Sequence, residues 1–236
     1  MKIISDLWKR YFGKKPDNYS HLQAFVQNIY WSKDIPTEQS KRDLEDGIVE
    51  FVYENGAHAA NGLLISDDGY VITCQHCIPE EEVFAVLSTG EKKRIKNICL
   101  QSEEQDLALI KLEIKGRARA KRYRLYLQER KSLAMNMPVV LLTRKNGRVI
   151  KKGGYVKESK SIPEIQKLKS GETYTYDILC DLDGVHGDSG GAIVTAQGEL
   201  CGLVNRGRIG HSISLSFGIY SVLTLLSNYI VKNQAS

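Results

Sequence analysis

Apolar and polar positions change their period near residue 47. Residues 3–11 and 21–31 place apolar side chains at helical spacing, with Gly13, Pro16, Asp17 and Asn18 between them, so residues 1–46 are expected to form a helical N-terminal extension. Trp8, Tyr11 and Phe12 give that extension an apolar face suited to packing on the rest of the protein. From Ile48 the pattern turns to short runs at 48–53, 58–66, 70–73 and 83–88, divided by Asn55-Gly56, Asp67-Asp68-Gly69 and Thr89-Gly90. Another apolar run starts at Asp106. A second series occupies 139–143, 148–150, 155–156, 174–180, 192–195 and 200–204, with Asn146-Gly147 as a hairpin signal. Short strands between turn signals specify an antiparallel sandwich or barrel, hence an all-β fold in two units of similar size, at about 47–118 and about 132–220.

Residues 209–231 contain no Asp, Glu, Lys or Arg, and a membrane span needs about 20 mostly apolar residues. His211, Ser212, Ser214 and Ser216 interrupt the stretch, and 212–217 alternate with the period of a half-buried strand. A strand followed by a C-terminal helix at 220–232, docked on the second unit, is expected instead of a transmembrane segment.

With 236 residues, 42 % of them hydrophobic and 26 % charged, the chain is globular in composition, which excludes disordered and fibrous classes. Its net charge of +5 conceals a basic block: residues 111–160 hold sixteen Lys and Arg against Glu113, Glu129 and Glu158. That block suits an acidic protein partner, although solvated loops and barrel faces are the plainer use. With no aromatic stacking platform or recognised nucleic-acid motif beside it, the charge argues against nucleic acid. The first fifteen residues mix charged and apolar side chains, unlike a secretion signal, and the five cysteines are expected to be reduced thiols in a cytoplasmic protein.

Three segments carry chemistry: Cys74-Gln75-His76-Cys77 at a strand end, Asp106 at the start of an apolar strand, and Gly187-Asp188-Ser189-Gly190-Gly191 between strands. A serine hydroxyl is a poor nucleophile near neutral pH and needs a base within reach, which in turn needs a carboxylate to fix its tautomer. Ser189, His76 and Asp106 can fill those roles. The surrounding glycines suit an oxyanion hole made of the Gly187 and Ser189 N–H groups. Taken singly, Asp106 reads as a strand cap, His76 as a buried histidine and Ser189 as a turn residue; the set argues for catalysis jointly.

These segments resemble the His, Asp and Ser motifs of the chymotrypsin-fold serine proteases, in that family's order, over about residues 48–231. The short interval from His76 to Asp106 is similar to the bacterial HtrA-type or trypsin-2-type branch. The resemblance implies two six-stranded antiparallel barrels, with His76 and Asp106 from the first and Ser189 from the second, and peptide-bond hydrolysis that needs no cofactor. A silent protease-like domain that grips peptides without turnover is the alternative.

The resemblance also implies finer roles. Asp183, six residues before Ser189, matches the aspartate of a trypsin-type specificity pocket and implies cleavage after Arg or Lys, although Val185 replaces the pocket cysteine; the plainer reading is that Asp183 caps a loop. Asn205 and Gly207 would line the substrate strand edge, with Arg206 between them. Asp188 matches the aspartate that pairs with a new N-terminus on activation, and His58 is the alternative partner. His186 is too near Ser189 in sequence to serve as its base. Ala59 and Ala60 occupy the region where secreted relatives carry the bridging partner of Cys77. Cys74 and Cys77 suggest a metal site, but His76 is committed elsewhere and no second ligand pair is visible, so no metal is expected.

Overall fold

The computed structural model describes residues 38–66, 68–79, 81–103, 105–114, 133–167, 173–207 and 213–218. The helices expected at 3–11, 21–31 and 220–232, and the basic run at 117–124, lie outside the described residues.

The two β units are closed six-stranded barrels. In the first, β1 (Ile48–Tyr53), β2 (His58–Leu64), β3 (Tyr70–Thr73), β4 (Val83–Val86), β5 (Lys92–Ser102) and β6 (Leu107–Leu112) close in the order β1-β2-β3-β6-β5-β4. In the second, β7 (Pro138–Lys145), β8 (Arg148–Lys167), β9 (Thr173–Asp181), β10 (Ala192–Thr195), β11 (Leu200–Gly207) and β12 (Ile213–Gly218) close in the order β10-β11-β12-β9-β8-β7. Read from β7, that is the connectivity of the first barrel. Every strand pair is antiparallel, and closure leaves neither barrel with the open sheet edge that invites aggregation. Val49, Phe51, Val71, Ile110 and Leu112 fill the first barrel, and Val139, Leu141, Val156, Ile178 and Ile193 fill the second.

Two elements were not legible as apolar pattern. Helix α1 (Glu38–Gly47) contains Leu44 as its one aliphatic side chain, which is buried, so there is no stripe to detect. Strand β5 carries Lys92, Lys93, Arg94 and Lys96 and is largely exposed along its length. Its place in the barrel comes from pairing with β4 and β6.

The barrels are fastened by buried polar groups. Arg144 on β7 is 4 % exposed, and its guanidinium donates to the carbonyls of Ile48, Gly147 and Glu45 at 2.8, 2.8 and 2.9 Å. It therefore ties the end of α1 and the start of β1 to the β7–β8 hairpin. Burial works against its charge, and the nearby carboxylates of Asp46, Glu50 and Glu45 oppose that loss. Asn61 on β2 is fully buried and reaches across in the same way: its Oδ1 accepts from the Arg144 N–H at 2.7 Å, and its Nδ2 donates to the Gly187 carbonyl at 2.8 Å.

Candidate active site

Strand β3 ends at Thr73, and a 3₁₀ turn over Gln75–Cys77 carries His76 to the rim of the first barrel. Asp106 precedes β6, the partner of β3, with a left-handed φ of 49°. A left-handed backbone is tolerated by aspartate better than by most residues. The two meet: His76 Nδ1 lies 2.6 Å from Asp106 Oδ2, while the His76 backbone N–H donates to Asp106 Oδ1 at 2.9 Å. Both carboxylate oxygens are thus used on one residue, which fixes ring and backbone together. Burial disfavours the imidazolium form of His76, but the hydrogen bonds to Asp106 and Cys77 outweigh it and hold the ring above its ordinary pKa.

Ser189 lies between β9 and β10. Its Oγ donates to the Asn205 carbonyl on β11 at 2.9 Å. Asn205 is buried, so its contribution here is through its backbone. Beyond Leu203 the pairing of β11 with β10 ends, and Arg206 and Gly207 pair with β12 on one side only.

The loop before Ser189 is clamped from the first barrel. Gly187 has φ +95°, and its carbonyl accepts from His58 Nε2 at 2.9 Å and from Asn61 Nδ2 at 2.8 Å. His58 Nδ1 in turn faces Glu50 Oε1 at 3.0 Å. The Asn61 N–H donates to the Ser189 carbonyl at 2.8 Å. At Gly190, φ +79°, a Cβ would sit 1.9 Å from the Asn61 carbonyl oxygen, so no larger residue fits that approach. Among the described residues the N–H groups of Gly187 and Ser189 find no acceptor, leaving both available as donors.

Among the described residues Asp188 takes its cation from Lys152 and not from His58. Its Oδ2 accepts from Lys152 Nζ at 2.7 Å and from the Val185 N–H at 2.8 Å, and Lys152 also donates to the Asp183 carbonyl at 2.9 Å. The carboxylate is 10 % exposed, so the ion pair is largely shielded from water. Asp183 itself is exposed, as are Val185 and His186. Much of the described part of the basic block has acidic partners within the chain: Lys151 with Glu45, Lys157 with Asp181, and Lys160 with Glu158.

Cys77 packs with Ala59 and Ala60 in the first core, so the bridge seen in secreted relatives has no counterpart here. Burial pushes the thiols of Cys74 and Cys201 well above their ordinary value and that of Cys180 up to about 12. Burial acts the same way on Cys77, but contacts with Cys74 and His76 prevail and draw it below its ordinary value.

Asn61, Glu50 and Lys152 were not found as site residues from sequence. Lys152 is one of sixteen basic residues in its block and carries no mark of its partner, and a strand asparagine has no motif.

Residues 60–203 match the family of trypsin-like peptidase domains. No curated protein sequence matches the chain significantly. Among solved structures, the active form of the Rv3671c protease from M. tuberculosis is similar at 16 % identity with a TM-score of 0.65, over 84 % of this chain and 91 % of that one. An inactive serine-to-alanine mutant of the same protease matches at 15 % identity and TM-score 0.63, over 85 % and 94 % of the two chains. The MamO protease domain from Magnetospirillum magneticum, apo form, matches at 19 % identity and TM-score 0.62, over 77 % of this chain and 96 % of that one. At these identities the structures speak for the fold, and the family match covers strands of both barrels. The chain belongs to the trypsin-like peptidase family.

Proposed function

We propose that the chain is a serine endopeptidase with Ser189 as nucleophile, His76 as base and then acid, and Asp106 as the carboxylate that orients it. The observation that carries this reading is the two-point hold of Asp106 on His76, at 2.6 Å to Nδ1 and 2.9 Å to the backbone N–H. That hold keeps Nδ1 as the donor and leaves Nε2 to accept a proton. Ser189 Oγ attacks the scissile carbonyl as its proton passes to Nε2, and the Gly187 and Ser189 N–H groups receive the developing oxyanion. The C–N bond then breaks, with the proton returned to the leaving amine. Water, deprotonated by the same ring, splits the acyl-enzyme and restores the hydroxyl.

Cleavage after Arg or Lys is the finer proposal for Asp183. Its support is an exposed carboxylate with no cationic partner among the described residues. A single dedicated protein substrate in the cytoplasm fits a reduced chain whose Cys74, Cys77, Cys180 and Cys201 are free thiols. An acidic partner would use basic residues of the 111–160 block other than Lys151, Lys152, Lys157 and Lys160, which already face carboxylates. One observation favours the silent peptide-binding alternative: Ser189 Oγ donates to the Asn205 carbonyl and not to His76. Hydrolysis of a P1-varied peptide library by the full chain, absent in Ser189→Ala, supports the endopeptidase. Peptide binding without hydrolysis overturns it.

A further inference from the structure

Cys74, His76 and Cys77 follow one another around a tight turn at the end of β3, and one donor atom from each lies within 4.8 Å of the other two. Among the described residues no other three His, Cys, Asp or Glu donors group in this way. Cys77 Sγ is 3.8 Å from His76 Nε2, the nitrogen facing away from Asp106. We propose that this trio is a binding site for Zn²⁺ and that an ion bound there takes the base out of service, making zinc a reversible inhibitor. The inhibitory half rests on the peptidase reading; the binding half does not.

A tetrahedral zinc ion holds sulfur at about 2.3 Å and nitrogen at about 2.0 Å, so neighbouring donors stand roughly 3.5–3.8 Å apart. The Cys77–His76 pair already meets that spacing, and Cys74 needs a shift of less than about 1 Å to complete it. Both thiols are almost fully buried, and zinc with two thiolates carries no net charge, which suits that position. Binding releases whatever protons the two sulfurs and His76 Nε2 carry, and changes no oxidation state. Cys74 gives up its S–H hydrogen bond to the Val204 carbonyl, 3.2 Å away. His76 supplies the route in, since its side chain is 34 % exposed while the sulfurs are covered.

The surroundings favour a metal over a plain core of sulfur. Asp106 on Nδ1 is the carboxylate partner that a zinc-bound histidine usually has, fixing the tautomer and raising the basicity of the ligating nitrogen. Three protein ligands leave a fourth position for water. The Val204 carbonyl beside Cys74 is one residue before the Asn205 carbonyl that holds Ser189 Oγ, so consecutive residues of β11 touch the trio and the serine.

The test uses the full chain carrying Ser189→Ala, titrated with Cd²⁺ as a zinc stand-in whose thiolate charge-transfer absorption reports Cys coordination directly. One equivalent should produce the band, zinc should displace it, and Cys74→Ala or Cys77→Ala should abolish it. Asp106→Asn, which keeps all three donors, should weaken binding about 10–100-fold. His76→Gln changes a partly exposed side chain, and its loss of zinc affinity serves if a cysteine variant fails to fold. In the wild-type chain, zinc should suppress turnover over the same concentration range, with recovery on adding a chelator. Absence of the band, or a band that survives in the Cys74→Ala, Cys77→Ala double variant, overturns the site. A band with undiminished turnover overturns the inhibition.

Discussion

Lys152→Met removes one ammonium group and asks what holds the nucleophile loop. Lys152 Nζ makes two bonds, to Asp188 Oδ2 at 2.7 Å and to the Asp183 carbonyl at 2.9 Å, so it spans the segment that leads to Ser189. Methionine keeps most of the stem and none of the charge. Asp188 is left with the Val185 N–H as its remaining donor, in a position 10 % exposed. Removing one partner of a buried pair costs about 3–5 kcal/mol when the other charge must stay buried. The loop has a cheaper course, which is to turn Asp188 toward water and carry Gly187 and Ser189 with it. Because the barrels do not depend on this loop, the expected result is a small change in Tm and a large loss of reactivity. At about 1.4 kcal/mol per tenfold, 3–4 kcal/mol is about a 10²–10³-fold fall in fluorophosphonate labelling rate at Ser189. Lys152→Arg should recover much of it, and Lys152→Met should lose little more when combined with Asp188→Asn. Labelling within threefold of wild type, or additive losses in the double variant, would show that Lys152 does not hold the loop.

Other outcomes follow from the same geometry. A base must be neutral to take a proton, and His76 is held above its ordinary value, so kcat/KM should rise with pH through a limb displaced above that of free imidazole. Cys77→Ala removes one of the groups holding it there and should move the limb toward lower pH in a chelator-containing buffer. Asp106→Asn should lower kcat by about 10⁴ with little change in KM; a loss below tenfold contradicts its orienting role. Phe51→Ala empties a fully buried position in the first barrel and should cost about 3–5 kcal/mol in urea unfolding. Asp183→Ser should abolish any preference for Arg or Lys at P1 and leave hydrolysis of other peptides intact; an unchanged preference assigns specificity elsewhere.

Barrel strands whose inward faces are apolar could be read from period alone. β1, β3 and β10 have the limits the pattern predicted, because buried Val, Ile and Phe runs end at turn residues. β8 was read as two fragments because Lys151, Lys152, Gly153 and Gly154 break its apolar pattern, yet pairing with β7 and β9 makes it one strand over Arg148–Lys167. β5 failed for the same reason. The His76, Asp106 and Ser189 segments were visible because their chemistry needs particular residue types in a particular local backbone. The clamp was not. Asn61, Glu50 and Lys152 act through contacts 126, 96 and 36 residues away in the chain, and nothing local to them records the partner. Asp188 shows the limit most directly: the family resemblance pointed to a new N-terminus or His58, while among the described residues the cation beside it is Lys152 from β8.

On the proposed reading Ser189 is a nucleophile activated within the intact chain. Incubating the full-length protein with a fluorophosphonate in chelator-containing buffer and reading the intact mass, then the modified peptide, tests it directly. One phosphonyl adduct per chain is expected, on Ser189, abolished by Ser189→Ala and strongly slowed by His76→Gln. An unmodified wild-type chain, or an adduct that persists in Ser189→Ala, would contradict it.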